Sequence, residues 1–120
     1  MDYITNVDAI VFSPEYDKPL DSELLSNYKK IIFSNKELDN KLFENYKNKD
    51  TYYALHKEES KFNQPLHNVL NNCPLLTHLG LGCEFNQKLD LPCNISSLSL
   101  GSNNGIYIDY LPDTIEELEL

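Results

Sequence analysis

The chain contains no arginine: all ten basic residues are lysines, set against nineteen acidic ones for a net charge of -9. A nucleic-acid backbone or an anionic membrane demands clustered positive charge, so neither is expected as a partner. Glycine is scarce as well, with four residues, and no glycine-rich phosphate loop can be drawn through them. No apolar run approaches the length of a membrane span, and Met1-Asp2-Tyr3 is not followed by the basic and apolar segments of a leader. Three cysteines, an odd number with no such leader, suggest a reducing compartment. The expectation is a soluble, cytoplasmic protein. Fourteen asparagines and eight tyrosines accompany the lysines, a bias that fits an A/T-rich genome and carries little functional information.

What is present is a repeat. Leu76-Thr77-His78-Leu79-Gly80-Leu81 has the form L-x-x-L-x-L, and the form returns at Ile95–Leu100 and Ile115–Leu120. Upstream, Val7–Phe12 and Tyr28–Phe33 fit it, and Asp50–Leu55 is a weaker copy without the first apolar residue. First positions fall at 7, 28, 50, 76, 95 and 115, in steps of 21, 22, 26, 19 and 20 residues. Self-similarity at this spacing is the sequence mark of a solenoid.

A second motif keeps step with the first. Phe62-Asn63-Gln64-Pro65-Leu66 aligns with Tyr16-Asp17-Lys18-Pro19-Leu20, and Phe85-Asn86-Gln87-Lys88-Leu89 with Leu38-Asp39-Asn40-Lys41-Leu42. The aromatic residues are expected to stack where the chain leaves each strand. Asn63, Asn86, Asp17 and Asp39 would bond backbone groups left free at the turn.

The pairing of L-x-x-L-x-L with F-N-Q-P-L resembles the FNIP repeat, a relative of the leucine-rich repeat. Phe62–Leu81 and Phe85–Leu100 carry the likeness most clearly; Leu38 and Gly105 lack the aromatic residue, and Asp50 the apolar one. The resemblance implies a right-handed solenoid that binds other proteins, often joined to an F-box. Met1–Asn6 are too few residues for a helical F-box ahead of the first repeat.

The fold expected is therefore an α/β repeat: one solenoid domain over residues 1–120. Its parallel strands, near 7–12, 28–33, 50–55, 76–81, 95–100 and 115–120, would line the concave face. Alternation puts Ile10 and Phe12, Ile31 and Phe33, Tyr53 and Leu55, Leu79 and Leu81, Leu98 and Leu100, and Leu118 and Leu120 inward as core columns. The first two crossovers are expected to be helical: Leu20, Leu24 and Tyr28 repeat every fourth residue after the cap-like Asp21-Ser22, as do Leu38, Leu42 and Tyr46 further on. A short turn of helix is expected over Val69 and Leu70, ended by Cys73-Pro74. Leu91-Pro92-Cys93-Asn94 and Leu111-Pro112-Asp113-Thr114 are too short and proline-bound for helix.

Chemistry is sparse. His56, His67 and His78 and Cys73, Cys83 and Cys93 follow no zinc-ligand spacing, and their intervals do not match the repeat. Cys73 and Cys93 read as small apolar residues. Cys83 lies just past the strand carrying His78, but no oxyanion hole or orienting group accompanies the pair. Neither an enzyme, a metal nor a cofactor is expected. What remains is the outward row of the concave face, with Lys30, Ile32, Tyr52, His78, Ser97 and Glu117 as candidate contacts for a protein partner; Tyr52 is the natural anchor. The alternative is a structural remnant of a longer array with no specific ligand. The bare edges of the first and last strands would then be exposed, or covered by self-association.

Overall fold

The computed structural model describes residues 3–5, 7–33, 60–66, 68–82, 84–87, 89–92, 94–99 and 113–119. Its centre is a six-stranded sheet in sequential order: β1 (Tyr3–Thr5), β2 (Ala9–Phe12), β3 (Lys30–Ile32), β4 (His78–Gly80), β5 (Ser97–Ser99) and β6 (Glu117–Glu119). β1 runs antiparallel to β2, and every later pair is parallel.

The parallel register places equivalent repeat positions side by side. Ile10, Ile31, Leu79, Leu98 and Leu118 form one row across the sheet. The first four are essentially inaccessible, whereas Leu118, on the last strand, is 46% exposed. Phe12, Phe33 and Leu81 add a second buried layer. Each strand also starts the same way. The Asp8 carbonyl accepts from Lys29 and Lys30 N–H, the Lys29 carbonyl from Thr77 and His78, the Thr77 carbonyl from Ser96 and Ser97, and the Ser96 carbonyl from Glu116 and Glu117, all at 2.7–3.1 Å. Hydroxyls reinforce the series: Thr77 Oγ1 donates to the Lys29 carbonyl and Ser96 Oγ to that of Thr77.

Two features differ from the expected stack. At the N-terminal end, β1 covers the edge of β2, and Tyr3 packs edge-on against Phe12 with ring centroids 5.6 Å apart. That end is not bare, because a chain folding back antiparallel satisfies the edge amides that an opening parallel strand leaves unpaired. Further along, β3 pairs directly with β4, so no strand stands between them. The strand expected over 50–55, with Tyr52, Tyr53 and Leu55, lies outside the described residues, as do the helix expected over 38–46, Leu100 and Leu120.

The described crossovers follow their sequence signals in shortened form. α1 spans only Ser22–Leu25; Asp21 caps it in an extended conformation, its carboxylate accepting from Glu23 N–H at 2.9 Å. Leu25 is fully buried, with Leu20, Leu24 and Tyr28 packed against the core beside it. Ser26 and Asn27 side chains take the Glu23 carbonyl, closing the helix after one turn. A 3-10 turn over Leu70–Asn72 buries Leu70 and ends at Cys73. Asn68 precedes it with φ 64°, a left-handed conformation that asparagine tolerates. The crossover before β5 has no helix in its described residues; Asn94 instead donates to the Pro74 carbonyl of the preceding turn.

Gly82 is required by close approach. A Cβ there would lie 2.7 Å from the Ser60 Cβ, and Ser60 is itself buried, its hydroxyl accepting from Phe62 N–H.

Two stability outcomes are expected in urea unfolding. Leu79→Ala should cost roughly 2–5 kcal/mol, the range for a buried leucine with its cavity, while Leu118→Ala should cost about 1 kcal/mol or less. Gly82→Ala should cost roughly 1–3 kcal/mol through overpacking, and adding Ser60→Gly should recover part of that loss despite removing the hydroxyl.

Candidate functional site

Two rows of side chains repeat at the same position in each turn, and either is a candidate site. The first is the F-N-Q element. Tyr16, Phe62 and Phe85 are stacked, with centroids 6.3 Å and 6.0 Å apart, and Phe12 and Phe33 extend the pile, Phe33 lying 4.0 Å from Phe62. Beside the rings runs a polar ladder. The Asp17 carboxylate accepts from Asn63 N–H and from the Gln64 side-chain amide, both at 2.9 Å. Asn63 Oδ1 in turn accepts from Asn86 N–H at 2.9 Å and the Gln87 amide at 3.2 Å. The Asn or Asp of one turn thus holds both polar residues of the next. This accounts for the glutamine as well as the asparagine. The ladder passes directly from Asp17 to Asn63; Asp39 lies outside the described residues.

The Asn63 N–H and Gln64 amide together hold the Asp17 carboxyl below the usual carboxylate range.

The second row lies on the sheet face opposite the core column. In register it reads Ala9, Lys30, His78, Ser97, Glu117, with Val11, Ile32, Gly80, Ser99 and Glu119 two residues on. This face is only partly open. Ala9, Val11 and Ile32 form a small buried apolar cluster with Ile4 packed on it. Ile4 reaches them because it is paired with Val11 and therefore points to the same side. Of the candidate contacts, Ile32 is 2% exposed and Ser97 1%; both are on the face that alternation assigns them, but neither is open to a partner. That rule assigns a residue to a face but does not say whether the face meets water. The Ser97 and Ser99 hydroxyls are buried without hydrogen-bond partners among the described residues.

Lys30 and His78 are half-buried neighbours in the row, and Glu117 is exposed. Thr77 Oγ1 lies 2.8 Å from His78 Nδ1 and within 3.3 Å of the Lys29 carbonyl. One hydroxyl proton cannot serve both, so when Thr77 donates to the carbonyl the imidazole Nδ1–H is the donor. Burial, with the Lys30 ammonium beside it, holds His78 below the usual histidine value, while Glu117 and Asp8 pull the other way. Asp8 was not marked by the sequence reading, although it holds the same pre-strand position as Lys29, Thr77 and Ser96. Tyr52 is outside the described residues.

Cys73 is a free, buried thiol whose Sγ lies 3.5 Å from the Val69 carbonyl, and burial pushes its pKa up. It serves as an apolar filler. Among the described residues no group of three or more His, Cys, Asp and Glu could hold a metal ion, and no helix is long and apolar enough to cross a membrane.

Sequentially ordered parallel strands with repeated aromatic and polar ladders define a repeat protein built on a mostly parallel sheet. Residues 85–120 match the family model described as FNIP Repeat, in line with the resemblance carried by the sequence motifs. No curated protein and no solved structure matches the chain.

The ladder gives a pH test. Because its pKa is lowered in the fold, the Asp17 contribution to stability is present above about pH 4 and is lost as pH falls through the lowered value. Asn at this position accepts the same bonds at every pH. In thermal unfolding, Asp17→Asn should gain on the wild type as the solution is acidified below about pH 4; a constant difference between the two would contradict this account.

Proposed function

We propose that the stacked turns form a right-handed solenoid whose parallel sheet lines a concave face, and that this face binds another protein inside the cell. The observation that carries the reading is the row Lys30, His78, Glu117: unlike polar groups set at one repeat position, half-buried or exposed, on a rigid sheet. Repeat arrays recognise partners through such rows, in which regular backbones hold unlike side chains at fixed spacing. Tyr52, which lies outside the described residues, is the aromatic side chain that the sequence offers as an anchor, since aromatic residues dominate the energetics of interfaces. Binding, rather than catalysis, is the activity proposed. The hydroxyl beside His78 is that of Thr77, and it donates to the Lys29 carbonyl, so it is not activated by the imidazole as a base.

A second reading has its own support. Ala9, Val11, Ile32, Ser97 and Ser99 are buried on this same face, which leaves little open area and favours a structural remnant of a longer array without a specific ligand.

A pull-down comparing wild type with Tyr52→Ala/His78→Ala separates the two. Loss of a discrete partner in the double variant is the outcome expected of a binding face. Equal recovery of every protein by both, with unchanged thermal unfolding, would favour the remnant.

A further inference from the structure

We propose that Thr77 positions His78 for recognition: it engages Nδ1, so that Nε2 meets the partner as a hydrogen-bond acceptor and selects an uncharged donor, a hydroxyl or a carboxamide. The inference deepens the function proposed above and rests on it, since it needs the sheet face to be the binding surface.

The direction of the Thr77 proton decides the matter. The hydroxyl lies 2.8 Å from His78 Nδ1 and 3.3 Å from the Lys29 carbonyl. Ser96 holds the same place one turn on, and its hydroxyl donates at 3.3 Å to the Thr77 carbonyl, the equivalent acceptor. No histidine follows Ser96; the next residue is Ser97. The hydroxyl-to-carbonyl bond is thus a feature of the repeat that forms without an imidazole, and the Thr77 proton is committed to Lys29. Contact at 2.8 Å then takes its proton from the ring, on Nδ1. In a neutral imidazole the other nitrogen carries the lone pair. Among the described residues no hydrogen bond reaches Nε2.

The surroundings set what this acceptor takes. Lys30 is in register with His78 on β3, and Ser97 is in register on β5, its hydroxyl buried without a partner. The other charged groups that bear on the ring are Glu117 on β6 and Asp8 ahead of β2. Lys30 stands one strand away, about 4.8 Å, whereas Glu117 stands two strands away, roughly 10 Å. An ammonium or guanidinium offered to Nε2 therefore meets like charge first. A carboxylate meets a lone pair. A hydroxyl or carboxamide meets neither penalty.

Protonation reverses the preference. Burial and Lys30 keep the ring neutral to a lower pH than an ordinary histidine, with Glu117 and Asp8 opposing. Below that point Nε2–H is a donor beside a second cation, and the same place favours an anion.

The test is NMR of the imidazole nitrogens in the full chain, with His78 assigned by the resonances missing from His78→Gln. At about pH 7.5, where an ordinary histidine is neutral, wild type should carry its proton on Nδ1. Thr77→Val should lose that preference and populate the Nε2–H form, and Thr77→Ser should restore it; unchanged thermal unfolding shows that both remain folded. Sulfate, whose charge is constant over this range, should perturb His78 at about pH 5 and not at about pH 7.5. A wild-type proton on Nε2, an unchanged tautomer in Thr77→Val, or equal perturbation by sulfate at both pH values would each overturn the inference. These failures are distinct from failure of the binding face. A face that binds while the proton sits on Nε2 sinks this inference alone. Equal recovery in the pull-down above, with the Nδ1–H form confirmed, removes the face and the recognition role together but leaves the ring geometry standing.

Discussion

A single turn of this chain has an apolar edge and no means of covering it alone. The row Ile10, Ile31, Leu79 and Leu98 is dry because each residue lies in register between neighbours. Nearest-neighbour burial of this kind makes stability a sum over contacts between adjacent turns. It also penalises any slip in register, because a one-residue shift of a strand would exchange its buried face for the other.

Polar groups hold the register that the apolar row requires. Hydrophobic contact is non-directional and would tolerate small displacements. The F-N-Q ladder would not, since Asn63 Oδ1 must receive both Asn86 N–H and the Gln87 amide while Asn63 itself is held by Asp17. The paired donors at each strand start do the same for the sheet. Stacked rings along the pile from Phe12 to Phe85 connect the two systems. An element that looks like an exposed recognition motif is therefore consumed in joining successive turns.

The opposite face of the sheet is divided. Near β1 it is apolar and buried around Val11 and Ile32; across the middle, Lys30 and His78 are partly open; towards β6 it becomes acidic. The two ends of the stack also differ. At one, β1 covers β2 as an antiparallel strand; at the other, Glu116 and Glu117 are exposed.

The repeat was legible in the chain because it is written in local spacing. L-x-x-L-x-L dictates alternation, and the core rows, the aromatic pile and the Asn/Asp ladder follow from which residues recur. Asp21 and the Cys73-Pro74 stop were readable for the same reason, since caps and helix ends are set by residues within one turn. What the chain could not disclose was which turns are neighbours. The weak copy at Asp50–Leu55 fitted the spacing, yet β3 pairs directly with β4, and residues 50–55 lie outside the described residues. β1 escaped notice because three residues carry too little periodicity to announce a strand. The fate of Ile32 and Ser97 was hidden as well: alternation says which face a side chain takes, and only the assembled structure decides whether water reaches it.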